Sequence, residues 1–300
     1  MEEISKTEIA NWFKNLQDNI CYSLEKLDGQ SSFKEDKWDR QEGGGGRSRV
    51  LKDGKLIEKG GVNFSAVSGP TPDKILKALN LPQADFFATG VSIVLHPQNP
   101  WVPIIHMNVR YFEMSNGVWW FGGGIDLTPH YVISEKARNF HQHLKTTCDK
   151  HSPEFYKKFK QWADEYFFVK HRNETRGIGG IFFDRINDND GRSKADQWRF
   201  VQDVAETFIP AYKDAVQDLK NRKWSQEDKI WQKIRRGRYV EFNLVHDKGT
   251  KFGLDTNGRT ESILMSLPPE ANWEYDHQPA NDLQRETLSL LKRGIDWINT

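Results

Sequence analysis

Cysteine is scarce in this chain, which has only Cys21 and Cys148 among its 300 residues. Two cysteines cannot supply the framework of a small disulfide-rich protein, and they cannot supply the thiolates of a cysteine zinc site. Any metal ion in this protein would therefore be bound by histidine and carboxylate side chains.

Long apolar runs and a large net charge are also missing. No segment approaches the roughly 20 apolar residues of a membrane-spanning helix, and the N-terminal sequence MEEISKTEIANWF lacks the basic and apolar regions of a signal peptide. We therefore predict no membrane span and a cytoplasmic location. The net charge of +1 excludes an overall field that would attract nucleic acid, so an anionic ligand would need a local cluster of arginine and lysine.

What the chain does contain is an alternation of helical and β-type patterns. Apolar residues at helical spacing predict helices in the segments 1–28, Pro72 to Leu79, Ser134 onward with Ser134 as N-cap, Phe155 to Phe167, Ala195 to about Asn221, Glu227 to Ile234 and Leu283 to Trp297. Short β-branched runs predict strands between the first two helices, in the middle of the chain and again from Arg238 to Leu267. The predicted fold is α+β, a single domain over residues 1–300 with a large antiparallel sheet flanked by α-helices on both faces.

The segment from Ser92 to Pro129 is the part of the sequence that is densest in usable chemistry. Its runs SIVLH and IIHMNVRYF predict two strands. Because side chains alternate along a strand, Ser92 and His96 share one face of the first strand, and His106, Asn108 and Arg110 share one face of the second. Polar groups therefore line one face of each strand.

A hairpin is predicted where Asn116-Gly117 separates the second strand from the run VWWF. Strict pairing through a two-residue turn sets Asp126 opposite Met107, on the face away from His106. A bulge within the three glycines 122–124 would reverse that side. The pattern leaves open whether Asp126 meets the polar residues of the preceding strand.

Four histidines, His96, His106, His141 and His171, fall in a strand, a strand, a helix and a helix end. Imidazole suits a divalent metal, so one hypothesis is that the four converge on one ion. No two of them have a diagnostic metal-ligand spacing, so the alternative is that they are hydrogen-bonded or proton-transfer groups.

Arginines beside apolar strands and glycine turns are candidates for binding carboxylates through a bidentate grip, and surface ion pairing is the alternative for each one. These candidates are Arg110, Arg172, Arg176 and Arg259. The four-glycine run 43–46, followed by Arg47 and Arg49, is either a simple hairpin or a flap that carries these arginines to an anion.

Two aspartates, Asp126 and Asp247, each end a predicted strand at a glycine-rich turn. A carboxylate at such a position is suited to act as a general base or to hold a cation, although aspartate is also a common turn residue.

Many long motifs in this sequence resemble, in order, the oxygen-dependent coproporphyrinogen III oxidase family. They are WDRQEGGGGRSRVL, EKGGVNFS, SIVLHPQNP, HMNVRYFE, WWFGGGIDLTP, DEYFFVKHRNETRGIGGIFFD, RRGRYVEFNLVHDKGTKFGL and NGRTESILMSLPPEANWEY. The resemblance implies an antiparallel sheet with flanking helices, a homodimer, and conversion of two propionates of coproporphyrinogen III to vinyls, giving protoporphyrinogen IX in haem biosynthesis. It also implies molecular oxygen as co-substrate and no organic cofactor.

The same resemblance implies roles for individual residues. His106 would be the proton donor, and the substrate would be bound by Ser92, Asn108, Val109, Arg110, Asn257, Gly258 and Arg259. A divalent metal such as manganese would be bound by His96, His106, His141 and His171. Two positions depart from the family pattern, because Lys248 replaces an arginine and so loses the planar fork, and Asn257 stands where glycine or serine is usual.

The implied chemistry fits the residues. Coproporphyrinogen has four propionates and four inward N–H donors, so its site needs several cations at the rim and a carboxylate that faces the pyrroles. We expect His106, Asp126, Asp247 and Arg110 to be catalytic, with the two aspartates acting together, and Arg172 and Arg176 to bind substrate. The alternatives are a tetrapyrrole carrier without turnover and a histidine-ligated metal oxygenase with another substrate. The apolar run SILMSLPP, predicted as an edge strand, favours a dimer.

Overall fold

The computed structural model describes residues 4–71, 76, 83–255 and 258–299. Apart from Leu76, the predicted short helix from Pro72 to Leu79 lies outside the described residues, and so does Asn257.

Nine strands and eight α-helices form the described part of the chain. The strands are β1 (Lys34–Asp39), β2 (Gly44–Lys52), β3 (Ile57–Pro70), β4 (Asp85–Pro97), β5 (Ile104–Met114), β6 (Trp119–Thr128), β7 (Phe168–Val169), β8 (Glu174–Thr175) and β9 (Gly180–Ile186). The helices are α1 (Lys6–Asp28), α2 (Ser134–Asp149), α3 (Phe155–Tyr166), α4 (Lys194–Val216), α5 (Gln226–Glu241), α6 (Lys248–Asp255), α7 (Thr260–Leu264) and α8 (Asp282–Leu290). Short 3₁₀ turns lie at Lys170–Arg172 and Asp188–Asp190, and a π-helical turn lies at Phe242–His246.

Seven of the strands form one antiparallel sheet in the order β1-β2-β3-β4-β5-β6-β9, and β7 pairs with β8. Each of the first six strands pairs with its sequence neighbour, and β9 returns to pair with β6 after two helices. The predicted α+β class with a large antiparallel sheet is confirmed.

One face of the sheet is apolar and carries most of the core. Along β4 and β5 this face presents Ile93, Met107 and Val109, all fully buried, and it packs against α1, α2 and α4. The largest hydrophobic cluster extends from Ile9 to Trp297. The single domain over residues 1–300 stays a prediction.

The other face is polar, and only part of it is covered. Near its β3 and β4 end it contacts α5 and α7, where Arg236 donates to the Pro97 carbonyl (2.9 Å) and Asn63 donates to the Ser262 carbonyl (2.8 Å). Helices therefore pack on both faces, as predicted, but the two faces differ in how completely they are covered.

The turn between β5 and β6 corrects the predicted hairpin. Met114 and Val118 close a loop of three residues, Ser115 to Gly117, with Gly117 in the left-handed region at φ 88°. The extra residue shifts the register by one, so that His106 pairs with Asp126 without a bulge between β5 and β6. Asp126 therefore lies on the same face as His106, and the length of the turn, not a bulge, puts it there. The irregularity near Gly122 is between β6 and β9.

The C-terminal third was predicted wrongly as a meander of strands from Arg238 to Leu267. Helix α5 instead continues to Glu241 and is followed by the π-helical turn, α6 and α7. Residues 234–240 are buried without interruption, so the sequence shows no helical periodicity there. Gly237 lies inside α5, where a Cβ would lie 2.5 Å from the Asn272 carbonyl oxygen, so glycine allows this close approach within the helix.

Two smaller boundaries also differ from the prediction. Ser134 is the first residue of α2, not its N-cap, and its side chain makes no capping bond. The last helix, α8, ends at Leu290, seven residues before Trp297.

Within the described residues, no helix is long and apolar enough to cross a membrane.

Candidate active site

The centre of the polar face is a buried chain of three charged or polar groups. Asp126 pairs with His106 across β5 and β6, and its Oδ1 lies 2.7 Å from His106 Nδ1. Arg176, from the loop after β8, donates from Nη2 to the other oxygen, Asp126 Oδ2, at 2.6 Å. Asp126 is 2% exposed and Arg176 3% exposed, whereas the side chain of His106 is 22% exposed. Of the three, His106 is the group that reaches solvent.

Arg176 is held by more than its carboxylate. Its Nη1 donates to Asn243 Oδ1 at 3.0 Å, and its guanidinium carbon lies 4.4 Å from the Phe167 ring centroid, 4.7 Å from that of Tyr239 and 4.6 Å from that of Phe242. Aromatic faces attract a desolvated cation, so this cage stabilises a buried guanidinium.

The charge of Asp126 follows from these contacts. Burial raises the pKa of this carboxyl group, but Arg176 and His106 more than offset burial and hold the pKa of Asp126 below its ordinary value. Asp126 is therefore an anion at neutral pH.

Beside this chain, the polar face has a floor of small residues. Arg110 pairs with Gly90 on one side and Gly122 on the other. Asn108 pairs in the same way with Ser92 and Gly124. Paired residues of an antiparallel sheet point to the same face, so Asn108 and Arg110 stand on a surface with almost no neighbouring side chains.

Arg110 spans this floor to β9. It donates from Nη1 to Asn108 Oδ1 at 2.8 Å and from Nη2 to Asp184 Oδ1 at 2.7 Å. A Cβ at Gly122 would lie 2.8 Å from Asp184 Oδ1 and 2.9 Å from Arg110 Nε, so only glycine leaves room for this ion pair. Both charged side chains are about one third exposed, so the pair is accessible to a competing carboxylate.

Asp247 lies at the end of the π-helical turn, not at the end of a strand. Its Oδ1 accepts from the Tyr166 hydroxyl, and its Oδ2 accepts from the backbone N–H and hydroxyl of Thr250, all at 2.7 Å. Burial raises the pKa of Asp247, but these hydrogen bonds from Tyr166 and Thr250 lower it to below the ordinary value. Tyr166 in turn stacks on Phe182, which pairs with Gly124 of the floor.

The other predicted arginines lie farther along the rim, each in an ion pair. Arg172 makes a bidentate pair with Glu241 at 2.8 and 2.7 Å, and Arg259 binds Asp36. Hydrogen bonds from Arg172 and His171 lower the pKa of Glu241 to about 2, although burial raises it.

The arginines of the predicted flap are also paired within the chain. Arg47 donates to the Lys14 carbonyl at 2.8 Å, and Arg49 bonds Glu35 at 2.7 and 2.9 Å. The glycine run forms the start of β2 in the sheet, so the structure favours the simple hairpin.

Two of the residues implied to bind substrate, and the lysine that departs from the family pattern, differ in accessibility. Val109 is fully buried on the apolar face, so only its backbone is available to a ligand. Gly258 packs against α6, where a Cβ would lie 2.7 Å from the Gly253 carbonyl oxygen. Lys248, at the start of α6, is exposed.

The structure does not bring the four histidines together. His141 lies in the helical layer on the apolar side, between the Ile178 carbonyl and the Tyr156 hydroxyl at 3.0 Å each. His96 is buried against the Ser266 carbonyl at 2.8 Å, and His171 bonds His246 and Glu241 near the surface at 2.9 and 2.8 Å. Burial lowers the pKa of His141 to about 3 and that of His96 well below its ordinary value.

A shared metal site is therefore not formed by these residues. Among the described residues, no group of three or more histidine, cysteine, aspartate or glutamate side chains is arranged to hold a metal ion. The physical reason is that α2 carries His141 to the apolar side of the sheet, whereas His96 and His106 lie on the polar face and contact different partners. Spacing along the sequence does not reveal this.

Sequence reasoning missed several residues of this site. Asp184, Tyr166, Asn243 and Glu241 contact the predicted residues directly, and Phe182 stacks on Tyr166. Asp184 ends the run IFFD, which has the character of a short strand, so the argument used for Asp126 and Asp247 would have found it. Asn243 and Glu241 carried no signal, because their segment was predicted as a strand.

A separate groove of about 620 Å³ lies between α2 and α4, on the helical side of the molecule. Its lining includes Asp203, Glu206 and Asp214. These carboxylates would repel a ligand with several carboxylates, so the groove does not compete with the polar face as a candidate site.

Comparison with known proteins covers almost the whole chain. A family model described as coproporphyrinogen III oxidase matches residues 8–297. The chain is 48% identical to the oxygen-dependent coproporphyrinogen-III oxidase of Prochlorococcus marinus strain AS9601, with 98% of this chain and 93% of that protein covered. It is 47% identical to the mitochondrial enzyme of Rattus norvegicus, over 98% of this chain and 69% of that protein. It is 49% identical to coproporphyrinogen-III oxidase 1, chloroplastic, of Arabidopsis thaliana, over 94% of this chain and 76% of that protein.

The residues of the polar face all fall within residues 8–297, which the family model matches. The chain therefore belongs to the coproporphyrinogen III oxidase family.

Proposed function

We propose that this chain catalyses the oxygen-dependent oxidative decarboxylation of two propionates of coproporphyrinogen III, giving the two vinyl groups of protoporphyrinogen IX. The chain is an oxidoreductase of haem biosynthesis by its family. The observation that carries the assignment to the polar face is its floor of small residues, with Arg110 at one end and the His106–Asp126 pair at the other.

The floor suits a broad, flexible macrocycle. Gly90, Gly122, Gly124 and Ser92 leave the backbone of β4 and β6 open, so a large ring can approach the sheet between the standing side chains. Asn108 offers an amide to such a ring, and Arg110 offers a planar cation to one of its propionates.

Binding of a propionate by Arg110 requires an exchange of partners. Asp184 now accepts from Arg110 Nη2 at 2.7 Å, and a substrate carboxylate would take this place or share the guanidinium. Because the pair is partly exposed, water already screens it, and the cost of exchange is small.

The balance of the reaction defines what the site must do. A propionic acid side chain plus O2 gives a vinyl group, CO2 and H2O2, so each turnover removes two electrons and two protons from the substrate. O2 takes the electrons, and no organic cofactor is needed for that balance. We propose that His106, the exposed member of the buried chain, exchanges a proton with the substrate, and that Asp247 is a second acceptor near the ring.

Aerobic turnover is the direct test of this function. Purified protein should convert coproporphyrinogen III in air, followed by porphyrin fluorescence after oxidation of the product, and conversion should stop under nitrogen. A carrier would bind the tetrapyrrole without turnover in either gas. Absence of conversion in air by the folded protein would contradict the proposal.

The metal ion that the sequence resemblance implies has no common set of ligands in the part of the chain that the structure describes, so we assign no step to it. We propose that His96 and His141 are hydrogen-bonded core groups. Dialysis against a chelator, with metal content and turnover measured on the same sample, should leave turnover undiminished. Loss of turnover that Mn²⁺ restores would contradict this and would support a metal oxygenase.

We also propose that the chain acts as a homodimer. The predicted edge strand is absent from the described residues, because SILMSLPP begins in α7, so the argument from that strand is withdrawn. Support comes instead from exposed apolar side chains close together in sequence, Leu244, Val245, Phe252 and Leu254. Light scattering over a dilution series tests this, and a fully active monomer near 35 kDa would contradict it.

A cytoplasmic location remains our prediction. It is supported by Cys21 and Cys148, which are both buried and unpaired. Cell fractionation of the native source with an antibody against this chain tests it, and recovery of the protein in an organelle would contradict it.

A further inference from the structure

We infer that Arg176 is a positioning residue that holds Asp126 as an anion, so that Asp126 fixes the proton of His106 on Nδ1 and leaves Nε2 as the nitrogen that exchanges protons. The sequence predicted Arg176 as a residue that binds a substrate carboxylate. The catalytic consequence of this inference rests on the proposed function, but the proton arrangement does not.

The surroundings of Arg176 leave no room for a substrate carboxylate. The residue is 3% exposed, its Nη2 is bound to Asp126 and its Nη1 to Asn243. Its planar faces meet aromatic rings at 4.4 to 4.7 Å. A propionate could reach this guanidinium only if Asp126 left it, which would strand a buried carboxylate without its cation.

The location of the proton between Asp126 and His106 follows from the charge of the carboxylate. Arg176 Nη2 donates to Asp126 Oδ2 at 2.6 Å, and His106 Nδ1 lies 2.7 Å from Asp126 Oδ1. Arg176 is a cation at neutral pH, and its direct contact with the buried carboxylate stabilises the ionised form of Asp126. An ionised carboxylate can only accept hydrogen bonds, so the hydrogen in the bond to His106 belongs to Nδ1 of the ring.

The other ring nitrogen is then assigned by exclusion. With Nδ1–H bound to Asp126, neutral His106 carries its lone pair on Nε2, and a protonated His106 would give up its proton from Nε2. A partner on one imidazole nitrogen commonly fixes the role of the other in this way. Asp126 acts on the substrate through His106, because Asp126 itself is buried and both of its oxygens are occupied.

The π-helical turn provides much of the cage around Arg176. Phe242 and Asn243 are its first two residues, and Tyr239 precedes it by one turn of α5. The turn thus delivers a ring and an amide oxygen to the same guanidinium. A lysine at position 176 would keep the positive charge. Its ammonium group is not planar, so it could not replace the paired hydrogen bonds of the guanidinium to Asp126 Oδ2 and Asn243 Oδ1.

The test uses ¹⁵N NMR of His106 in the full chain without substrate, together with steady-state kinetics. In the parent protein, neutral His106 should show a protonated Nδ1 and an unprotonated Nε2. In Arg176→Met the preference should be lost, kcat should fall roughly 10- to 100-fold, and KM should change by less than about threefold. Arg176→Lys should recover part of the preference for the proton on Nδ1 and part of the lost kcat.

The control is Arg236→Met. Arg236 is also fully buried and paired with a carboxylate, Glu58, at 2.5 Å, but it has no contact with His106. This variant should lose stability while leaving the His106 signals, kcat and KM close to the parent values, which separates a general loss of packing from the specific role of Arg176.

Three results would overturn the inference. They are a proton on Nε2 of neutral His106 in the parent protein, an unchanged His106 tautomer in folded Arg176→Met, or a large rise in KM with kcat preserved. The first needs no variant, so the inference stays testable if Arg176→Met does not fold. If the tautomer is as expected but coproporphyrinogen is not turned over in air, the proposed function fails and the proton arrangement stands.

Discussion

The two faces of the central sheet are built from the same strands and have opposite characters. On one face, residues such as Ile93, Met107 and Phe183 are fully buried under the helices that pack on that side. On the other, His106, Asn108 and Arg110 stand among glycines and serine, and only part of the surface is covered. Neighbours in sequence, such as His106 and Met107, belong to different faces, so one strand contributes to both stability and chemistry.

The difference between the faces shows how the fold protects a reactive surface. The apolar face supplies most of the buried area, and therefore most of the hydrophobic free energy of folding. The polar face can then keep open backbone and buried charge, each of which costs stability. Substitutions on the polar face should therefore reduce turnover, and substitutions on the apolar face should reduce the free energy of unfolding.

The largest separation is expected for Asp126→Asn on the polar face. Asparagine keeps the size and one acceptor oxygen but removes the charge that holds the proton of His106. We expect kcat to fall by roughly two to four orders of magnitude, as for loss of a general base. Substrate binding, measured under nitrogen, should change far less. Turnover within a few-fold of the parent would place the chemistry elsewhere.

The matching change on the apolar face is Phe183→Ala. Phe183 is fully buried, with ring centroids of Phe159 and Phe200 at 5.4 and 5.0 Å. The cavity should lower the free energy of unfolding by about 3 to 5 kcal/mol, measured by urea denaturation. Turnover per folded molecule should stay within a few-fold of the parent, and a selective loss of turnover would mean that the faces are not separable.

A smaller effect is expected for Arg110→Ala, which removes the cation at the edge of the floor. Loss of a charge-assisted hydrogen bond to a propionate should reduce kcat/KM by roughly 1.5 to 3 kcal/mol of transition-state stabilisation. Arg199→Ala, an exposed arginine on α4, is the matched control and should change kcat/KM by less than about twofold. Equal effects of the two substitutions would remove Arg110 from the site.

The smallest effect concerns the rim of the polar face, where Arg172 and His171 lower the pKa of Glu241 to about 2, against burial. The carboxyl group of Glu241 is protonated at a higher pH in the unfolded chain than in the folded protein. The stabilisation that its ion pairs give is therefore present above the ordinary carboxyl pKa and is lost as the pH falls through the pKa of Glu241 in the folded protein. The difference in unfolding free energy between the parent and Glu241→Gln should shrink as the pH falls below about 4.5. A difference that stays constant down to pH 3 would contradict the assigned pairing.

The sheet could be predicted from the sequence because its signals are local. Alternation placed His106, Asn108 and Arg110 on one face of β5 and Ser92 and His96 on one face of β4. The pairing of Ser92 with Asn108 puts the two sets on the same face of the sheet. The pairing partner of Asp126 could not be predicted with the same certainty. It depends on a turn of three residues, not two, and one residue of turn length exchanges the two faces.

The C-terminal part of the site could not be predicted, because burial on all sides removes the periodic signal. The segment RYVEFNLVHD alternates like a strand, yet it forms the end of α5 and the π-helical turn. Asn243 and Glu241 were missed for this reason. The distance in space between His106 and His141 was equally hidden, since it depends on which side of the sheet α2 packs.

Crystallography of the protein with coproporphyrinogen III under nitrogen tests the central claim most directly. We expect the macrocycle to lie over Asn108 and Gly124 on the polar face, with a propionate at Arg110 Nη2 in place of Asp184 and with His106 Nε2 directed toward the substrate. A macrocycle bound in the groove between α2 and α4, with the polar face empty, would contradict the account.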